Sequence, residues 1–321
     1  MRALVTGATG FVGSHLVDTL LQRGVAVTAL ARSHERASAL KAQGVSIILG
    51  RLQDEAILVQ AAQNQDVLYH VAGVVSARSE AEFLRVNRDG TQKMVAAAEA
   101  AGVERFVLVS SLAAGGPSTP GRPLNGSETP HPVTAYGRSK LAGEQVVQAS
   151  RLRWTIVRPP MVYGPRDREV LKVFRAARLG MAPLFGDGTQ QLSAVHAADL
   201  ASALLAIADA PTTGRIYTPC HPEVFTSAEF VRAVGTAVGK SVRTLRVPSA
   251  LGRIMLSVTE AAARIAGQTT ILTADKANEF FQPAWTGDPT PLMRDCKWRP
   301  VHDLRSGLAD TCQWYRKAGW L

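Results

Sequence analysis

Tyr136 and Lys140 stand four residues apart in Tyr136-Gly137-Arg138-Ser139-Lys140, at the head of a segment with helical spacing. An i, i+4 separation puts both side chains on one helix face. A tyrosine with its ordinary pKa of about 10 is a poor base at neutral pH. An ammonium beside it favours the phenolate and lowers that pKa. Such a tyrosine can pass a proton to or from a carbinol while a hydride moves to or from a nicotinamide. Ser110 and Ser111 come earlier, at the end of an apolar run from Phe106. A hydroxyl there can hold the substrate oxygen beside the phenol. Tyrosine and lysine four apart arise by chance in many chains. A pair that follows a serine pair in a nucleotide-binding sheet is far more specific.

The second constellation is Gly7, Gly10 and Gly13, which sit between an apolar run and a helical segment. The spacing is GxxGxxG, where the common dinucleotide fingerprint has GxGxxG. The physics is the same. Glycine lets the backbone turn sharply and approach a pyrophosphate, and the helix N-terminus offers free N–H groups and a partial positive charge. The alternative is a tight turn with no ligand, and the strand before and helix after favour nucleotide binding. The next strand ends at Leu30-Ala31-Arg32-Ser33. An NAD site usually places an acid there for the ribose 2′-OH. None is present, and Arg32 can fork onto a 2′-phosphate. This favours NADP, with NAD still possible; a plain surface arginine is the other reading of Arg32.

These residues need elements to position them. Ala3 to Thr6, Val25 to Ala31, Val45 to Leu49, Val67 to Val71, Phe106 to Ser110 and Trp154 to Arg158 read as strands. Phe11 to Arg23, Glu55 to Gln63, Phe83 to Ala101 and Ala135 to Ser150 read as helices. Near-continuous apolar strands alternating with helices predict a Rossmann-type α/β fold, a doubly wound parallel sheet. After Pro159 the alternation weakens. Asp199 to Ala208 (helix) and Arg215 to Thr218 (strand) can rejoin that sheet, while Ser227 to Gly239 and Ala250 to Ala266 read as helices of a smaller lobe. The expected division is a dinucleotide-binding unit over 1–164, rejoined by about 193–220, and a substrate lobe over 165–192 and 221–321. The helix from Ala250 carries Arg253, Glu260 and Arg264; of two readings, a membrane-surface helix and a cap on a cleft, the cap is the expectation.

Composition excludes several classes. The 321 residues are 46% hydrophobic and 19% charged, a globular profile. Lysine and arginine number 36 against 26 acids, a net charge of +10. The basic residues are scattered, so nucleic-acid binding is not expected. Cys220, Cys296 and Cys312 have no CxxC spacing, which argues against a disulfide framework or a structural zinc and for a reduced, cytoplasmic compartment. The N-terminal apolar run is broken by glycine and threonine, and reads as a buried strand and not a leader. No run of 18 or more apolar residues predicts a membrane span.

TGATGFVG (Thr6 to Gly13), HVAG (His70 to Gly73), VNRDGT (Val86 to Thr91), VSS (Val109 to Ser111), YGRSK (Tyr136 to Lys140), RPPMVYGPRD (Arg158 to Asp167), GDGTQ (Gly186 to Gln190) and VHAADL (Val195 to Leu200) follow one another over a stretch of about two thirds of the chain. The sequence thereby resembles the extended short-chain dehydrogenase/reductase family, the branch with nucleotide-sugar epimerases, 3β-hydroxysteroid dehydrogenases and dihydroflavonol-type reductases. The resemblance implies Tyr136 as acid/base, Lys140 as its tuner and ribose ligand, and Ser111 as the substrate-orienting hydroxyl, with Ser110 as rival. It implies Asn87 as support for the lysine through water. It implies Gly7, Gly10, Phe11, Val12 and Gly13 at the pyrophosphate, and Ala72 and Gly73 along the cofactor. Pro159 and Val162 would meet the nicotinamide end. A homodimer through the helices Phe83 to Ala101 and Ala135 to Ser150 is also implied.

The chain departs from that pattern in three places. Where the third strand usually ends in an acid near the adenine, the text is Gly50-Arg51-Leu52. Arg51 can stack on the ring or add a second positive charge, which again favours NADP. Leu192 stands where nucleotide-sugar enzymes carry an arginine, so a partly apolar substrate is expected. Leu112-Ala113-Ala114 replaces the Asp-Glu pair of sugar dehydratases, which excludes that reaction. The leading expectation is an NADP(H)-dependent ketone reductase or alcohol dehydrogenase acting on a partly apolar small molecule. A nucleotide-sugar epimerase using the same site comes second, and a non-catalytic nucleotide sensor third.

Overall fold

A computed structural model describes residues 1–321, the side chain of Pro183 excepted. The first half alternates as the apolar runs require. In chain order come β1 (Arg2–Thr6), α1 (Phe11–Gln22), β2 (Ala26–Ala31), α2 (His34–Ala42), β3 (Ser46–Leu49), α3 (Glu55–Ala62) and β4 (Val67–His70). Then follow α4 (Glu80–Leu84), a π-helical turn (Arg85–Asp89), α5 (Gly90–Ala101), β5 (Arg105–Val109), α6 (Leu112–Gly115), α7 (Ala135–Gln148) and β6 (Arg153–Val157). A glycine in the left-handed region, Gly102 at φ 66°, stops α5.

The later chain supplies β7 (Met161–Tyr163), α8 (Val170–Arg178), β8 (Met181–Phe185), β9 (Gln191–Leu192), β10 (Ala194–His196), α9 (Ala197–Asp209) and β11 (Arg215–Tyr217). It ends with β12 (Phe225–Thr226), α10 (Ser227–Val238), β13 (Arg243–Val247), α11 (Ser249–Ile265), α12 (Ala277–Phe280), β14 (Ala284–Trp285), α13 (Thr290–Asp295) and α14 (Leu304–Lys317).

Seven parallel strands form one sheet in the order β11-β6-β5-β4-β1-β2-β3. The strand order reverses between β1 and β4, and ligands of such sheets bind in the crevice beyond the strand ends at that switch point. One face is packed by α1 and α9 with Leu16, Leu20, Leu200 and Leu204; the other by α3, α5 and α7 with Leu58, Met94, Ala98 and Val147. Burial on both faces explains why the strands are apolar throughout. Arg215–Tyr217 does rejoin this sheet, as its outer strand beside β6.

The second core gathers Tyr163, Phe174, Leu184, Phe230, Val234, Leu308 and Tyr315. It is built from α8, α10 and α14, and two of these, α8 and α14, are not evident from the alternation pattern. The Tyr315 hydroxyl donates to the Asp167 carbonyl at 2.6 Å, tying the last helix to the start of the lobe.

One element differs from its sequence reading. The helix expected over Phe83 to Ala101 begins at Glu80, capped by the Ser79 hydroxyl, and is widened by the π turn. Such turns re-aim a side chain, and here the side chain is Asn87. Gly143 lies where a Cβ would fall 2.4 Å from the Asn87 carbonyl, so α7 crosses the π turn in close contact.

Candidate active site

At the end of β1 the backbone enters the left-handed region at Gly7, φ +72°, where a Cβ would lie 2.7 Å from the Ala72 nitrogen. A Cβ on Gly13 would fall 2.1 Å from the Gly7 carbonyl oxygen. The two glycines therefore let the turn, the helix and the end of β4 close on one another. Gly10 caps α1 without a side-chain bond, and no acid occupies the first turn. The backbone N–H groups of Phe11, Val12 and Gly13 find no acceptor among the described residues. Three free donors on a twelve-residue helix suit an anionic ligand. By this test the turn fits the pyrophosphate of a dinucleotide. Farther along α1, Arg166 donates to Ser14 at 3.1 Å and Asp18 at 2.6 Å, holding the loop after β7 against the helix.

Across the switch point, Tyr136 and Lys140 lie on the first turns of α7, whose N-cap Thr134 accepts from Gly137 N–H at 3.1 Å. Ser111 caps α6 and its hydroxyl also reaches the Tyr136 phenol. Ser110 points elsewhere: its hydroxyl donates to the Glu144 carboxylate. The serine ambiguity is thereby divided, Ser111 on the phenol and Ser110 on the floor.

The electrostatics differ from the sequence reading in one respect. Burial pushes the Tyr136 phenol up to about 12, against the opposing pull of Ser111, and the Glu279 carboxylate adds to the rise. The expected lowering by Lys140 is not what dominates. The Lys140 ammonium donates instead to the Val109 carbonyl at 2.8 Å, and burial lowers it to about 8 while Glu144 works in the other direction.

Glu144, one turn beyond Lys140, escaped the sequence reading. It is fully buried and pairs with Arg158 at the end of β6, the closest approach being 2.6 Å. The signal was present: a third residue at i+4 on the same helix face. Its partner Arg158 lies 14 residues farther along the chain, past the end of α7, and the return of β6 into the sheet brings it back to Glu144.

Asn87 reaches into the same floor. Its amide nitrogen donates to Val74 O at 3.0 Å and Ser139 Oγ at 2.9 Å, and its oxygen accepts from Val74 N–H at 2.9 Å. This fixes the strand-exit segment that carries Ala72 and Gly73. A Cβ on Gly73 would lie 3.6 Å from the Lys140 Nζ, so Gly73 lies beside the ammonium. Beneath it, buried His70 joins Thr6 at 2.8 Å and Thr91 at 3.2 Å. Burial first, and the Lys140 charge second, lower His70 to about 3, which keeps it neutral. On the other side, the Pro159 carbonyl accepts from Leu112 N–H at 2.9 Å, and Val162 pairs in register with Val195.

Arg32 and Ser33 follow β2, and Arg51 and Leu52 follow its neighbour β3. Ser33 caps α2, its hydroxyl accepting from Arg36 N–H at 3.4 Å. Arg32, Arg36 and Arg51 are all exposed, and none has an ion-pair partner among the described residues. Leu52 packs on the helix wall where a Cβ on Gly90 would come within 2.8 Å.

A roof over Tyr136 comes from residues 275–279, which no motif announced. Asp275 accepts from Ala135 N–H at 2.8 Å and Glu279 from the Thr134 hydroxyl at 2.7 Å. The Lys276 ammonium, paired with Glu279, lies 5.8 Å from the Tyr136 ring centre, and Phe83 packs on the ring at 5.9 Å.

A histidine group lies away from this site. The His196 and His302 rings pack with their centres 4.0 Å apart, beside Asp310. The His196 Nδ1 accepts from Ala198 N–H at 3.4 Å, and Asp199 accepts from the His302 ring at 3.0 Å, which raises the His302 pKa. The two rings are tilted by 33°, and the His196 Nε2 lies 3.3 Å from the Asp310 carboxylate.

The chain is similar to known proteins along its whole length. The pattern that defines the NAD dependent epimerase/dehydratase family matches residues 3–219. A ceramide reductase of Caulobacter vibrioides is 33% identical over 319 residues, covering 99% of this chain and 95% of that protein. A 2-alkyl-3-oxoalkanoate reductase of Stenotrophomonas maltophilia is 31% identical, covering 96% and 97%. Among solved structures, the Thermus thermophilus UDP-glucose 4-epimerase in complex with NAD superposes with a TM-score of 0.79 at 25% identity, covering 99% and 100%. Its glycine turn, switch-point crevice and Tyr-Lys helix thus belong to a chain of the NAD-dependent epimerase/dehydratase family, an enzyme of the extended short-chain dehydrogenase/reductase type.

Proposed function

We propose that this enzyme is an NADP(H)-dependent ketone reductase or secondary-alcohol dehydrogenase acting on a partly apolar small molecule. The observation that carries this reading is the convergence of Tyr136, Ser111 and Lys140 at the switch point, below a wall that includes Phe83. Two of the relatives that match over nearly the full chain are named as reductases, of a ceramide and of a 2-alkyl-3-oxoalkanoate. Leu192 contributes an aliphatic side chain in β9, where a nucleotide-diphosphate site would need a cation.

When bound, the nicotinamide cofactor supplies or accepts the hydride. The residues of the chain do the rest. Gly7, Gly10 and the free N–H groups of Phe11, Val12 and Gly13 hold the pyrophosphate. Ala72, Gly73, Pro159 and Val162 line the cofactor's path, with Lys140 on the ribose. Ser111 orients the substrate oxygen. Tyr136 holds the proton that this oxygen gains in reduction or loses in oxidation. A phenol pushed upward by burial is a proton donor at neutral pH, so the resting site favours reduction. Asn87 keeps the Gly73 strand and α7 at a fixed spacing. Residues 1–164 with about 193–220 serve the cofactor, and 165–192 with 221–321 shape the substrate site.

Arg32, with Ser33 and Arg51, reads the 2′-phosphate. Arg32→Asp is expected to weaken NADPH binding roughly ten- to hundredfold, the worth of one charge-assisted hydrogen bond, while NADH binding holds or improves. Fluorescence titration of both nucleotides measures this. An unchanged ratio would remove Arg32 from the phosphate site.

The epimerase reading is supported by the full-length superposition on a UDP-glucose 4-epimerase and by sequence relatives of that name. Purification without added nucleotide, followed by denaturation, separates the two. Stoichiometric release of NAD supports the epimerase, whose internal redox cycle never needs to release cofactor. An empty protein that prefers NADPH and oxidises it with apolar ketones supports the reductase. A homodimer through the α4–α5 and α7 helices completes the proposal, and light scattering at a monomer mass would overturn it.

A further inference from the structure

Helix α11 buries only Gly252 and Leu256 of its seventeen residues. Gly252 is what permits the contact: a Cβ there would come within 2.7 Å of the Phe281 ring and 3.2 Å of Phe185. The opposite side is not polar. Leu251, Ile254, Met255, Val258 and Ile265 are all exposed, Ile254 at 60%, Val258 at 62% and Ile265 at 88%. At 3.6 residues per turn these five fall within an arc of about 100°. A soluble helix of this kind normally turns such a stripe inward. Here the inward side is already occupied by a small residue and one leucine.

The surroundings of the stripe carry one sign of charge. From Lys240 to Gly267 there are five basic residues, Lys240, Arg243, Arg246, Arg253 and Arg264, and one acid, Glu260. Glu260 is spent on Arg264 and on the Ala274 N–H. Arg243 and Arg246 lie exposed on β13, which leads into α11 through Pro248, and exposed Leu245 stands between them. Paired beside β13, the β8 strand adds exposed Met181 opposite Arg243. On α11 itself, Arg253 turns inward over the Phe281 ring and onto Asn278, so among the described residues the exposed cations without an ion pair beside the apolar stripe are Arg243 and Arg246 of β13.

We propose that this face docks the enzyme on an anionic lipid surface, α11 lying in the plane of the headgroups and Arg243 and Arg246 of β13 on the phosphates. An apolar stripe with a basic border matches that partner in both components. The sequence reading of this helix as a mere cleft cap accounts for Gly252 and Leu256 but leaves the other face without a purpose. The position suits a delivery role. The end of α11 touches the strand-exit loop, where Arg78 donates to the Gly267 carbonyl at 2.8 Å. The chain then returns as the roof segment 275–279 over Tyr136. Docking would therefore set the mouth of the active site against the bilayer. The docking itself does not depend on the assignment of the substrate.

Sedimentation of the full chain with vesicles tests it. The protein is expected to pellet with phosphatidylcholine vesicles containing phosphatidylglycerol, far less with phosphatidylcholine alone, and less again at high salt. Arg243→Gln and Arg246→Gln together should weaken binding about fivefold per charge removed. Ile254→Glu with Val258→Glu should abolish binding, and since both residues are exposed, the melting temperature and nucleotide binding should hold. Wild-type protein that stays in the supernatant with anionic vesicles at low salt overturns the proposal. So does binding that survives the Glu pair. A dimer that becomes monomeric on Ile254→Glu also overturns it, by showing that a second copy covers the stripe. Activity on a water-soluble ketone, measured separately, reports on the reductase reading and not on docking.

Discussion

Tyr136→Phe should leave the fold and cofactor binding intact and reduce turnover by about a hundred- to ten-thousandfold, the usual worth of a positioned general acid. The substitution removes one oxygen from a ring held by Phe83, and the Ser111 hydroxyl keeps its bond to the Ala113 N–H. The loss should therefore fall on kcat, since a proton transfer acts in the transition state and not in ground-state binding. Stopped-flow hydride transfer from a stoichiometric nucleotide complex is the direct measurement. A Phe variant that transfers hydride at the wild-type rate would remove Tyr136 from the chemistry. The pH profile carries a second check. With the phenol pushed up to about 12, protonated Tyr136 is present through the whole neutral range. The limb that falls with rising pH must then come from another group, and Lys140, lowered to about 8, is the one in place. Lys140→Met should erase that limb.

The second large effect concerns the floor. Breaking a buried ion pair by removing one partner costs about 3–5 kcal/mol, because the other charge stays buried without compensation. Glu144→Gln leaves the Arg158 guanidinium, 2% exposed, in that position. The same change deprives Ser110 of its carboxylate acceptor. The melting temperature should drop by roughly 5–10 °C. Arg158→Met should cost a similar amount from the other side. The double variant Glu144→Gln/Arg158→Met should cost less than the sum, since it leaves neither charge alone. A strictly additive double variant would show that the two do not act as a pair. The sign of the accompanying pH effect follows from Lys140. Glu144 raises the Lys140 pKa against a larger lowering by burial. Without the carboxylate the ammonium is lost at lower pH, so the alkaline fall in activity should move toward neutrality.

What the sequence determined by itself were the features written in short stretches of chain. Strands buried on both faces must be apolar throughout, so β1, β2, β4, β5 and β6 were readable as runs, and the parallel sheet with them. Gly7 and Gly13 were readable because the turn tolerates no Cβ. The Tyr136 and Lys140 pair was readable because helical spacing is local. Tertiary structure alone decided the rest. It turned Ser110 toward Glu144 and Ser111 toward the phenol, two neighbours whose identities are the same and whose surroundings are not. It widened α4 and α5 at a π turn to aim Asn87, a distortion that no propensity encodes. It also folded Arg158 back onto α7 through β6 and brought the 275–279 segment there from a distant part of the chain. Whether Tyr136 is lowered by an ammonium or raised by burial depends on how much water reaches the phenol. That is a property of everything packed around it, and spacing between two residues carries no record of it.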